Sequence, residues 1–257
     1  MHSLDYENPP ALAIRPGRIV WKFWGTALWG VVVFAALFVG QGLVLLYEVL
    51  RHGGTAHIGE TLRAAAGSGL TISLSVIMGL PGVLAALWLA IRFTRTPFAD
   101  YLALRGTSWK NLLIGIAGMV VLVAVWEQLS HLTGHESSPD FMVDVLKSAR
   151  ADGALWLLIL AFCVAAPISE EFFARGFLYR GWSETSLGSI GAIILSSLVW
   201  AALHVQYDWF FFSEVFTLGL WFGYLRYRSG STWLTIVLHG LNNLGAVVET
   251  IWLAGQN

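Results

Sequence analysis

Three short runs in the C-terminal part of the chain place polar side chains inside apolar sequence. The first, A-A-P-I-S-E-E-F-F-A-R-G, sets Glu170 beside Glu171, with Arg175 four residues after the second acid. Glu171 and Arg175 are at i,i+4, share a helix face and can pair. Glu170 is turned by about 100° from Glu171, which leaves it as an acid with no local partner. A desolvated carboxylate of that kind suits a general base. The last run, L-H-G-L-N-N, repeats the i,i+4 spacing with His239 and Asn243. A neutral imidazole and an amide projecting from one face resemble oxyanion stabilisers, whereas Asn242 lies on another face and suits helix–helix hydrogen bonding. His204 lies between these runs. It and His239 are the histidines within hydrophobic segments, while His2, His52, His57, His131 and His135 fall in the tail or connections. A core histidine bonded to a backbone carbonyl is an equal reading for His204 or His239 taken alone. An interhelical ion pair likewise accounts for Glu171 with Arg175, but leaves Glu170 unexplained. Neither Cys163 nor Ser169 has a base beside it, so a nucleophilic thiol or hydroxyl is not indicated.

These groups must be positioned by membrane helices. Of the 257 residues 56% are hydrophobic and 12% charged, against about 25% charged in a soluble domain, so the polar shell that water requires is missing. An ionisable group at mid-membrane costs about 2.5–3.5 kcal/mol, which makes each one a functional candidate. A net charge of −1 gives no basic field for nucleic acid, and a single cysteine excludes a disulfide framework or a cysteine metal cluster. Seven segments approach the length of a spanning helix: about 24–50, 70–91, 111–132, 154–182, 187–205, 209–227 and 232–254. The first exceeds the roughly 7–15 residues of a signal-peptide core and reads as a retained helix. Pro81, Pro167 and the Gly219/Gly223 pair interrupt the apolar runs, and Gly219-xxx-Gly223 reads as close helix packing.

The expected architecture is all-α, a polytopic membrane bundle of seven spans, or eight. Residues 1–23 form a cytoplasmic tail and 24–132 three membrane helices. Residues 133–153 are an extracytoplasmic connection containing Pro139, in which Phe141, Met142, Val145 and Leu146 predict an interfacial helix. Residues 154–257 form the core that carries the site. With the N-terminus inside, Arg15, Arg18, Lys22, Arg92, Arg95, Arg105, Lys110, Arg175, Arg180, Arg226 and Arg228 share one side against Arg51, Arg63, Lys147 and Arg150 on the other. One difficulty concerns depth. Measured from the turn near residues 184–187, Glu170 and His204 lie about 21 and 25 Å away, but His239 is only about 10 Å from Thr232. Either that connection dips inward or the helices tilt strongly.

Taken together, Glu170-Glu171-x-x-x-Arg175, Trp200-x-x-x-His204 and His239-x-x-x-Asn243 resemble the CPBP family, which includes the type II CAAX prenyl proteases and many bacterial Abi proteins. Gly176, Ser196-Ser197 and Ser229-Gly230-Ser231 extend the likeness, which covers about residues 154–245. Trp200 stands where the family usually has Phe, a change expected to reshape pocket walls only. The resemblance implies a CAAX-type or other membrane-associated intramembrane endopeptidase, multi-pass in a bacterial inner membrane. Glu170 would activate water, His204 would help to hold it, His239 and Asn243 would stabilise the oxyanion, and Glu171, Arg175 and Trp200 would support the site. The partners implied are a peptide or lipidated-protein substrate and the bilayer, with no nucleic acid. The reading favoured needs no cofactor. The alternative is a zinc ion held by Glu170, His204 and His239 with water in the open position. Two non-proteolytic readings compete, a membrane adaptor with a polar core and a proton-coupled transporter. The latter usually shows inverted repeats, and the sequence has no internal repeat.

Overall fold

The computed structural model describes residues 20–52, 57–135 and 140–254. Most of the expected 1–23 tail, with His2, Arg15 and Arg18, lies outside the described residues, as does Pro139. Among the described residues the regular structure is helical throughout: α1 Phe23–Arg51, α2 Ile58–Gly67, α3 Gly69–Phe93, α4 Phe98–Tyr101, α5 Trp109–Thr133, α6 Asp140–Ala151, α7 Leu155–Ser183, α8 Gly188–Ala202, α9 Trp209–Ser229 and α10 Thr232–Ala254. The seven long helices coincide with the seven apolar segments. Five of them, α1, α3, α5, α7 and α10, are long and apolar enough to cross a membrane, and α8 is a shorter apolar helix. Side chains such as Leu28, Val31, Val120, Val121, Ile190 and Trp252 stand exposed on the outer surface. A water-facing surface would not keep so many, so these faces belong to lipid. The protein is a helical integral membrane protein.

α1 and α3 form a close pair. A Cβ on Gly40 would strike the Met78 carbonyl and one on Gly82 the Ala36 carbonyl, so the absent side chains let the backbones meet. α6 is helical as expected, but its apolar face does not lie in lipid. Val145, Leu146 and Ala149 are buried, and the helix packs on α3 and α10. The positive-charge asymmetry also needs correction. Arg175 is fully buried, and Arg226, also buried, stacks over the Tyr179 ring at 5.3 Å, so neither is a flanking charge. The remaining asymmetry keeps its sign.

α7 runs unbroken from Leu155 to Ser183 and contains two π-helical turns, Ala161–Ala165 and Phe172–Leu178. The first has a local cause. Pro167 has no N–H and its ring crowds the carbonyl four residues back, and a widened turn just before it absorbs the misfit.

The depth difficulty is resolved at the start of α10. Residues 101–103 turn inward instead of staying on the surface, and Leu102, Ala103, Ser231 and Thr232 are all buried. Ala103 takes a left-handed φ of 52°, and its carbonyl accepts the Thr232 N–H at 3.0 Å. The Thr232 and Ser231 hydroxyls donate to the carbonyls of Leu102 and Arg105. α10 therefore begins inside the protein, and two turns later His239 is deep within the bundle. Gly176 belongs to the same arrangement, because a Cβ there would lie 2.8 Å from a Leu102 methyl.

Candidate active site

The Glu171–Arg175 pair forms as the spacing predicts. Arg175 Nη1 donates to Glu171 Oε1 at 2.9 Å, with both side chains fully buried. Two further contacts hold the guanidinium: Nη2 donates to the Gly219 carbonyl at 3.0 Å, and the Trp200 ring lies beneath Cζ at 4.3 Å. Gly219 thus does more than pack helices, since a Cβ would sit 3.2 Å from Arg175 Nη2 and 3.1 Å from the Trp200 ring. The same Glu171 Oε1 lies 3.0 Å from His239 Nδ1. A carboxylate bonded to arginine accepts, so Nδ1 carries the proton and Nε2 is turned toward Glu170 Oε2, 3.9 Å away. This corrects the premise of a neutral His239 donating toward the reaction. With Nδ1–H committed, Nε2 accepts in the neutral ring and donates only in the charged one.

Glu170 is partly exposed, unlike its neighbour. Its Oε2 accepts the Trp200 indole N–H at 2.6 Å, so Trp200 is more than pocket wall. His204 follows the end of α8, and its Nδ1 lies 3.1 Å from the Trp200 carbonyl. A carbonyl can only accept, so here too the proton is on Nδ1 and Nε2 is left for chemistry. Glu170, Trp200, His204, His239 and Asn243 all line one cavity of about 830 Å³ among α3, α5, α6, α7, α8, α9 and α10. The four residues expected to do the chemistry therefore meet in one space.

Asn243 has a further duty that its spacing does not reveal. Its Nδ2 donates to the Phe162 carbonyl at 2.8 Å. In the π turn that carbonyl faces position 167, where proline offers no N–H. Asn243 fills the gap with one of its two amide hydrogens. α10 comes near enough because residue 240 is glycine, whose Cβ would be 2.6 Å from the Cys163 carbonyl. The roles expected of the neighbouring asparagines change accordingly. Asn243 makes the helix–helix bond, while Asn242 lines the cavity and bonds to no other described residue.

Sequence reading missed three acids in the cavity wall: Glu127 on α5, Glu214 on α9 and Glu249 on α10. Each lies in a hydrophobic segment, so the signal that drew attention to Glu170 was present. None sits in a run of chemistry-bearing residues. For a metal, no three His, Cys, Asp or Glu side chains among the described residues gather closely enough to hold an ion. Glu170, His204 and His239 as placed do not form a three-ligand zinc site.

Residues 152–245 match the family of Type II CAAX prenyl endopeptidases described as Rce1-like. No curated protein and no solved structure shows significant similarity to the chain. The match begins just before α7 and ends within α10, so it takes in all three polar runs and the helices that bring them together. Over that segment the chain is similar to the Rce1-like endopeptidases, a likeness consistent with the CPBP family of intramembrane proteases.

Proposed function

We propose that the protein is an intramembrane endopeptidase that hydrolyses a peptide bond with water activated by Glu170. The observation that carries this reading is the shared cavity, in which a partly exposed carboxylate faces an imidazole held by a fully buried carboxylate–arginine pair. Glu170 takes a proton from water as the oxygen attacks the scissile carbonyl, and then returns it to the leaving amine. His204 Nε2 accepts a hydrogen bond from the same water and orients it. The oxyanion is met by the second Asn243 N–H and by His239 in its charged form, for which Glu171 supplies the counter-charge. The hydrolysis needs no metal in this scheme. Apolar side chains such as Val120, Val123, Phe141 and Met142 line the same cavity, which suits a lipidated or hydrophobic segment entering from the bilayer.

The test is cleavage of an internally quenched, farnesylated peptide ending in a CAAX sequence, with the protein in liposomes. Wild type is expected to cleave it with or without chelator. Glu170→Gln is expected to fold and lose cleavage. Full cleavage by Glu170→Gln removes the base assignment, whereas no cleavage by wild type favours a packing role for the polar core, as in an adaptor. Loss of activity with chelator, restored by zinc, overturns the metal-free scheme.

A further inference from the structure

Trp200 has more contacts with the proposed catalytic groups than any simple wall residue needs. It lies on α8 and is buried. Its indole N–H donates to Glu170 Oε2 at 2.6 Å. Its ring face carries the Arg175 guanidinium at 4.3 Å. It meets the His204 and His239 rings edge-on, with centroids 5.3 and 5.2 Å away. Among the described residues, the indole is the hydrogen-bond donor that Glu170 meets. A second polar neighbour, His239 Nε2, is too distant at 3.9 Å for a hydrogen bond.

We infer that Trp200 is a positioning residue that fixes the Glu170 carboxylate for water activation through its indole N–H. This rests on Glu170 being the base. A glutamate side chain has three rotatable bonds, and a general base must lie within hydrogen-bond reach of the proton it takes. Holding Oε2 on the indole leaves Oε1 to receive the water proton and sets the carboxylate's distance from His239. The indole is itself fixed, because Arg175 stacks on its face and Gly219 leaves the room for it, with a would-be Cβ at 3.1 Å from the ring. A phenylalanine in this place keeps the stacking surface but donates nothing. The carboxylate would then have to be held in another way.

The discriminating variant is Trp200→Phe, which preserves an aromatic ring and removes the donor. With the farnesylated peptide, kcat is expected to fall roughly tenfold to a hundredfold, the size of one hydrogen bond to a charged group. KM and thermal stability should stay near wild type. A spectroscopic arm is independent of substrate. Ultraviolet resonance Raman bands of indole report hydrogen bonding at N–H, so the difference between wild type and Glu170→Gln should show one tryptophan changing its bond. The same Glu170→Gln change made in the Trp200→Phe background should leave the indole bands untouched. Wild-type kcat in Trp200→Phe, a kcat loss that merely tracks lost stability, or an indole difference that persists without Trp200 overturns the inference. Failure of the protease reading is a separate result, because it appears as no cleavage by wild type, whatever the Raman spectra show.

Discussion

At the scale of single residues, the candidate site commits some atoms to hydrogen bonds and leaves others facing the cavity. Glu171 and Glu170 are adjacent acids with opposite fates, one sealed between Arg175 and His239 and the other facing the cavity. The helical turn of about 100° per residue separates them, so their different surroundings were legible in the spacing. Asn243 is harder to read because it serves two ends. If its second N–H meets the oxyanion, Asn243→Ala should lower turnover about 10²–10³-fold, with little change in substrate binding. It should also lower stability by about 1–3 kcal/mol, because the Phe162 carbonyl loses its partner. Asn242→Ala is the matched control, since that side chain lines the same cavity without a bond to hold. Turnover per folded molecule, measured beside a thermal melt, separates the two. Equal turnover losses in both variants, each following the loss of stability, defeat the oxyanion assignment.

At the scale of elements, the seven long helices were legible because apolar length is a strong signal, and their ends moved by only a few residues. What spacing could not show was how the backbone departs from ideal geometry. The π turns of α7 and the inward plug at residues 101–103 leave no mark on an apolar run, yet they set the depth of His239 and the partner of Asn243. Glu127, Glu214 and Glu249 were missed for a related reason, since only packing brings acids on three helices to one wall. Pro167 interrupts an apolar run, and the carbonyl that it leaves free is met by the asparagine of the third motif. This arrangement makes a prediction about coupling. Pro167→Ala restores an N–H to α7 and lets the helix satisfy its own carbonyls, so the Asn243 bond becomes partly redundant. The stability cost of Asn243→Ala should then be smaller in the Pro167→Ala background than in wild type, a positive coupling in a double-mutant cycle of thermal unfolding. Strictly additive costs would show that the proline does not create the demand that Asn243 meets.

At the scale of the whole molecule, the question is whether α8 and α9 cross a bilayer beside the five helices that are long and apolar enough to do so. α8 has 15 residues, about 22 Å of helix against roughly 30 Å of hydrocarbon. α9 has 21 residues, long enough to cross but less apolar than the five candidate spans. If α8 crosses, helped by the connection that carries His204, the chain has seven spans and its ends lie on opposite sides. With the N-terminus inside, the orientation expected from the basic flanks, Lys22 and Glu184 would face the cytoplasm, and Trp209 and Trp252 the opposite side. Single cysteines at these four positions, in a Cys163→Ser background, can be labelled with an impermeant maleimide from either side of the membrane. Trp252 reports parity. Trp209 reports on the short helix, because a re-entrant α8–α9 pair returns to the side it left and keeps Trp252 where it was. The expected pattern is two positions labelled from each side. Labelling of Trp209 from the cytoplasmic side together with Glu184 would leave five crossings and make α8 and α9 a hairpin that enters and leaves by one face. Labelling of Lys22 and Trp252 from the same side would break the odd count itself. The distinction bears on chemistry as well as topology. His204 sits just past the far end of α8, so where that helix ends decides which membrane face the proposed water-holding imidazole lies nearer.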